Sequence, residues 1–248
     1  MTKPTPEIEA LAAQRLAADE ERIVGQARRR QSLTLRQAGL EFWKHPSPWM
    51  IAAFLIGSVV ARVAVGGGSR WELVIPAVLV ALFPVIEWCV HVGILHWKPR
   101  TLGPVTIDSL LARDHRAHHA DPRDLPLVFI PWKALVWLLP AYVAIAWLAM
   151  PTTASSLSLL VSVYGIMFGY EWTHYLVHSD HRPKSSWYRS VWRNHRLHHY
   201  KNEHYWFTVT SAGTADRLFG TYPADPSAVP TSPTVKQLHD LEVERARG

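Results

Sequence analysis

Apolar and polar positions along this chain come in blocks. Four apolar runs, at about 49–66, 71–95, 131–150 and 156–176, approach the roughly 20 residues a helix needs to cross a bilayer. Residues 67–70 join the first two runs and residues 151–154 the last two. Connections this short make antiparallel hairpins. Two buried hairpins of a soluble protein are the competing reading, but the remaining polar chain is too short to cover four such runs. The pattern predicts an all-α integral membrane protein: four transmembrane helices in two hairpins, with a helical, histidine-rich cap at one end. The expected organisation is an N-terminal charged helix or tail at 1–48, a membrane domain at 49–222 and a C-terminal tail at 223–248. Within the first segment, residues 7–30 read as a charged helix. Its Arg28, Arg29 and Arg30 suit either anionic headgroups or plain solvation. Residues 223–248 are Pro-rich, then charged, and read as a loose tail with one short helix.

Charge orients the spans. Lys and Arg number eight in residues 1–50, five in 97–126 and ten in 179–248, whereas the hairpin connections hold only Arg70, with Arg62 nearby. By the positive-inside rule, both termini and the central segment are expected in the cytoplasm. Trp43, Trp49, Trp71, Trp97, Trp132 and Trp147 fall near the span ends, where an aromatic belt belongs, and Lys133 can snorkel to the surface. The basic balance, with pI near 9.6, fits loops beside a membrane. No nucleic-acid module, GxGxxG or P-loop accompanies it, so no nucleic-acid partner is expected. The single cysteine, Cys89, excludes an internal disulfide and any Cys-based zinc pattern.

Ten of the fourteen histidines fall into four clusters: His91/His96 (HVGILH), His115/His118/His119 (HRAHH), His174/His178 (HYLVH) and His195/His198/His199 (HRLHH). Neutral imidazole ligates iron, zinc, copper and nickel. At about 100° per residue, each HxxHH box spans a helical arc of about 100°, and His174 and His178 lie nearly in line. His91 and His96 stand roughly 140° apart on an α-helix and need a bend or a helix end to converge. Ten imidazoles exceed one ion's ligand set, so two ions are the natural count. The charge-derived topology puts all ten at one end of the bundle. Glu87, Glu171 and Asp114 lie close to boxed residues. They suit either orientation of a ligating ring through its second N–H or, for the two glutamates inside apolar spans, a plain interhelical hydrogen bond. His45 and His239 read as bystanders. His181 and His204 are candidates for supporting or substrate-side roles, and Tyr205, Trp206 and Phe207 either line a substrate path or simply pack.

From about Val85 to Tyr222 the chain resembles the fatty acid hydroxylase/sterol desaturase superfamily of membrane oxidases. The carriers are the box order HX4H, HX2HH, HX3H, HX2HH and the phrases YEWTHYLVH (170–178), YWF (205–207) and DRLFGTY (216–222). The box order looks like that of the fatty acid 2-hydroxylase branch. The resemblance implies that the ten boxed histidines hold two metals at the cytoplasmic face of a four-helix membrane domain. By the same resemblance the metals are expected to be two iron ions, with zinc possible in isolated protein. It further implies an O₂-dependent lipid hydroxylase acting on a fatty acyl chain of a membrane lipid, with O₂ as co-substrate. Because the chain shows no flavin, haem or iron–sulfur motif, electrons are expected from a separate ferredoxin, cytochrome or reductase. One alternative keeps the site and oxidises or desaturates a sterol or carotenoid. Another is a non-catalytic membrane metal-binding protein, which would carry ligands along a path across the bilayer. Sterol-oxidising relatives usually have HX3H in the first box, where this chain has HX4H. Residues 1–80 carry no resemblance, and a fused cytochrome b5 domain has no room here.

Overall fold

The computed structural model describes residues 32–239, so the charged helix expected at 7–30 lies outside the described residues. Four long apolar helical segments occur where the hydropathy places them: Pro46–Val65, Arg70–Leu95, Leu125–Ala149 and Thr153–His178. The described elements, in order, are α1 (Leu35–Phe42), α2 (Pro46–Val65), a 3₁₀ turn leading into α3 (Val74–Val90), α4 (Leu110–Ala120), α5 (Leu125–Val128), α6 (Trp132–Ala149), α7 (Thr153–His178), α8 (Ser186–Tyr200) and α9 (Thr214–Leu218). A small exposed hairpin, Arg100–Leu102 with Val105–Ile107, precedes α4, and Gly103 takes the positive φ its turn needs. It is the one β element among the described residues, in a fold expected to be all-α, and it forms where β-branched residues flank a Gly-Pro step.

Helix α7 is the centre of the bundle and packs against α2, α3 and α6. Ile51, Leu135, Leu139, Ala146, Leu157, Leu160 and Tyr164 form one buried cluster between α2, α6 and α7. The Tyr164 hydroxyl donates to the Leu139 carbonyl at 2.7 Å, fastening α7 to α6. The outward surfaces stay apolar. The second span has a mean hydropathy of 2.4, yet almost none of it is buried inside the protein. Leu73, Val63, Trp137 and Leu148 are each more than 70% exposed. Such faces are stable against hydrocarbon and not against water, so the chain is a multi-pass membrane protein. Trp43, Trp49, Trp71, Trp132 and Trp147 are likewise exposed near the span ends.

The first hairpin closes through Gly66, Gly67 and Gly68, all at positive φ. A Cβ on Gly68 would meet the Arg62 guanidinium, which reaches over the turn to Glu72 at 2.8 Å. Ser158 on α7 donates to the same carboxylate at 2.6 Å, so the charge of Arg62 is paired inside the bundle. Thr152 caps α7, and Ser109 and Ser185 cap α4 and α8, each accepting a first-turn N–H. These caps fix where the helices carrying the second, third and fourth boxes begin.

Candidate metal centre

All ten boxed histidines meet at one end of the bundle. They do not sort by box. His91, His96, His115, His119 and His198 form one group and His118, His174, His178, His195 and His199 another, with the candidate ligand atoms of each group within 4.8 Å of one another. Each HxxHH box is split. Its i and i+4 members stay together and its i+3 member crosses to the other group. The reason is angular: neighbours 118 and 119 point about 100° apart on α4, as do 198 and 199 on α8. The arc of about 100° that each HxxHH box spans is therefore divided between two groups and does not serve as one ligand face. The first group draws four histidines from the first half of the chain and borrows His198. The second draws four from the second half and borrows His118.

The HX4H pair converges by the bend it required. Residues His91–Leu95 leave the α-helix for a π-helical turn, in which the His96 N–H donates to the His91 carbonyl at 2.9 Å. An i→i+5 bond brings residues five apart nearly into register, and the two rings stand 4.9 Å apart, centroid to centroid. Arg116 on α4 locks this end of the span, donating to the Trp97 carbonyl at 3.2 Å while paired with Asp108 at 2.6 Å.

The donor sets fit cations. In the second group, Nε2 of His195 lies 2.9 Å from His178 Nε2, 3.0 Å from His199 Nε2 and 3.1 Å from His174 Nε2. One ring nitrogen has a single proton or a single lone pair and cannot satisfy three neighbours. Adjacent ligands about 2.1 Å from a shared ion would stand about 3 Å apart at right angles, which matches. In the first group, Nε2 of His91, His96, His115, His119 and His198 is buried with no hydrogen-bond partner among the described residues. Leaving one such atom unmet costs roughly 1–3 kcal/mol, so five facing inward are best explained by a common cation.

Burial keeps these rings neutral, which is the ligating form. It holds His96, His115, His118, His119, His195 and His199 well below the usual imidazole range, with neighbouring histidines as a lesser cause. His198 is pushed down to about 4, again mainly by burial. His119 and His198 are each oriented by a backbone carbonyl: His119 Nδ1 donates to Val235 O at 3.1 Å and His198 Nδ1 to Tyr205 O at 2.8 Å. Each bond fixes the tautomer and turns Nε2 inward.

The carboxylates serve the backbone. Glu87 accepts from Val209 N–H at 2.8 Å and from Thr210 N–H at 3.1 Å, and from the Thr210 hydroxyl at 2.7 Å. Glu171 accepts from Ile130 N–H at 3.1 Å and from the Ser47 hydroxyl. Both carboxylates bond irregular backbone, at 209–210 and at 130, and Glu171 alone adds an interhelical bond, to Ser47 of α2. Asp114 faces a surface cavity of about 490 Å³ shared with His45 and Lys133.

Sequence reasoning passed over Asp216, which is fully buried. It accepts from Phe207 N–H at 2.8 Å, Thr208 N–H at 3.0 Å and the Thr221 hydroxyl at 2.8 Å. With Trp206 N–H donating to Thr221 O at 2.9 Å, this holds the buried Trp206 at a φ of 57°. A bulky residue rarely adopts that conformation unless its surroundings impose it. The result aims Phe207 at the first group, 5.4 Å from the rings of His91 and His96 and 5.2 Å from His198. The phrases YWF and DRLFGTY are thus two halves of one support, a pairing across eight or more residues that periodicity does not reveal. Tyr170 stacks on His174 at 5.6 Å on the other side.

The four remaining histidines lie outside both groups. His45 stacks on Phe129 at 4.1 Å, His181 bonds Leu33 O at 2.8 Å, and His204 is exposed beside Glu203. His239 is the correction: read as a bystander, it donates to the His96 carbonyl at 2.9 Å. The segment before it is no loose tail, since Val229, Ser232, Thr234, Val235 and Leu238 are buried.

Comparison with known proteins follows the same outline. The sequence pattern that defines the fatty acid hydroxylases matches residues 76–221. A dihydroceramide fatty acyl 2-hydroxylase of Arabidopsis thaliana is 28% identical over 195 residues, covering 77% of each chain. The solved structure of full-length Scs7p, in which only the hydroxylase domain is visible, superposes with a TM-score of 0.59. It is 22% identical and is matched over 75% of this chain and 70% of that one. The last likeness bears on the fold alone.

Proposed function

The chain belongs to the fatty acid hydroxylase family, and from that premise we propose that it is an O₂-dependent, membrane-embedded di-iron oxidase that hydroxylates a fatty acyl chain of a lipid. The observation that carries the reading is the gathering of ten buried or nearly buried histidines into two five-membered groups. In this reading His91, His96, His115, His119 and His198 hold one metal, and His118, His174, His178, His195 and His199 hold the other. Bound there, two iron ions would supply the activation of O₂ and the attack on an unactivated C–H bond.

The chain's own residues supply the rest. Carbonyl contacts at Val235 and Tyr205 keep His119 and His198 in the ligating tautomer. Phe207 and Tyr170 wall the centre with aromatic faces against which water finds no partner, while leaving an apolar chain a surface to lie on. Substrate reaches this end of the bundle from the bilayer that the exposed faces of the spans contact. A separate ferredoxin, cytochrome or reductase delivers the two electrons that, with two protons, reduce the second oxygen atom to water. Residues 49–222 are the hydroxylase domain, with 1–48 and 223–248 as flanking segments. The Lys and Arg distribution supports placing both termini and the metal centre on the cytoplasmic side.

The test is lipid mass spectrometry on cells with and without the gene, grown under ¹⁸O₂. A hydroxy-acyl lipid carrying one labelled oxygen is expected. The name of the Arabidopsis relative, a dihydroceramide fatty acyl 2-hydroxylase, makes carbon 2 of the fatty acyl chain the first position to inspect. Label in a sterol or carotenoid would redirect the substrate. Neither label nor new unsaturation in any lipid would sink the oxidase reading.

A further inference from the structure

The chain after the last box returns to the metal centre and grips one side of it. The turn at 201–203 holds the returning segment at three points. Lys201 O accepts from Ser232 N–H at 2.7 Å, and Asn202 Nδ2 donates to Pro230 O at 3.2 Å. Glu203, only 2% exposed, accepts from the Ser232 hydroxyl at 2.8 Å and from the Thr234 hydroxyl through the same oxygen. A carboxylate is costly to bury, and this one accepts from two hydroxyls of the segment on a single oxygen, with the exposed His204 Nε2 3.5 Å away. One residue beyond Thr234, the carbonyl of Val235 accepts a hydrogen bond from His119 Nδ1–H. Farther on, His239 bonds the carbonyl of His96. His119 and His96 both belong to the first group. A third member, His198, is oriented by Tyr205 O, two residues after Glu203.

We propose that residues 229–239 are a positioning strap for the first metal pocket, clamped by the buried Glu203 carboxylate. Metal in that pocket therefore depends on the strap more than metal in the second pocket does. The proposal rests on the two-metal reading above and adds an asymmetry that reading does not contain. Glu203 touches no reacting atom. It acts through Ser232 and Thr234 on the Val235 carbonyl, and through that carbonyl on the tautomer and aim of His119.

The experiment uses full-length protein in detergent, loaded anaerobically with iron(II), dialysed, and measured for metal per chain. Wild type is expected to retain two. Glu203→Ala and the double variant Ser232→Ala/Thr234→Val should retain one, with affinity at the weakened site down roughly 10–100-fold, the range for losing a group that orients a ligand. Glu203→Gln, whose amide oxygen still accepts both hydroxyls, should retain two. Adding Glu203→Ala to His115→Ala should cost no further metal, whereas adding it to His195→Ala should empty the protein. The metal kept in the second pocket serves as the folding control within the same molecule. Two metals held at wild-type affinity in Glu203→Ala would overturn the strap. Parallel loss of both would also overturn it, by making the role a general structural one. A wild-type protein that never holds two metals would overturn the underlying reading, and the wild-type measurement alone reveals it.

Discussion

The first pocket takes His91, His96, His115 and His119 from one half of the chain and borrows His198. The second takes His174, His178, His195 and His199 from the other half and borrows His118. Recruitment is therefore reciprocal. Each half is a membrane hairpin followed by a box helix, and each gives away the i+3 histidine of its HxxHH box. Support differs. Members of the first pocket are aimed by backbone carbonyls of later chain, Tyr205 and Val235, and lie under Phe207. In the second, Nε2 atoms already converge to 2.9–3.2 Å, on helices fixed by the α7 core. Two sites of similar composition can thus differ in how far they depend on distant sequence.

The largest expected effect comes from breaking one pocket at a time. His115→Ala and His195→Ala should each abolish labelled product and each remove one metal, from different pockets. Metal analysis alongside the ¹⁸O₂ assay checks this, and loss of both metals from either variant would show one coupled centre instead of two pockets. Next come the buried carboxylates, one beside each pocket: Glu87 braces the 209–210 backbone near Phe207, and Glu171 braces Ile130 one helical turn from His174. Alanine at either leaves buried N–H groups unmet, a loss of about 1–3 kcal/mol for each group. Thermal unfolding in detergent reads it, and unchanged melting would refute the bracing role. The smallest effect belongs to a site that serves neither pocket. Tyr164→Phe removes one interhelical bond, worth about 0.6 kcal/mol on average between membrane helices. Stability should dip slightly while metal content stays at the wild-type value. A loss of metal there would mean that the α6–α7 contact is coupled to the centre.

Much of this was legible in the residue order. The four spans were, because twenty apolar residues in a row have few other places to go. The α4 and α8 boxes were, because a helix turns each residue by a fixed angle. The need for a bend between His91 and His96 was also legible, although its form, a π-helical turn, was not. Asp216 was not legible, since its partners at 207, 208 and 221 become neighbours only when the chain folds back. His239 and the strap were misread for the same reason: a Pro-rich segment looks loose until the surface it lies on exists.

The sequence by itself determined that this protein spans a membrane four times and that ten imidazoles collect at one end, because hydropathy and helical period act within a few residues. Only the tertiary structure decided which imidazole joins which pocket. Membership depends on how the box of α4 is brought against the box of α8, with His119 4.9 Å from His198 and His118 4.6 Å from His199, and residues more than sixty positions apart carry no local signal for it. That is how His118 and His119, adjacent in the chain, come to serve different pockets, while His119 and His198, from opposite halves, serve the same one.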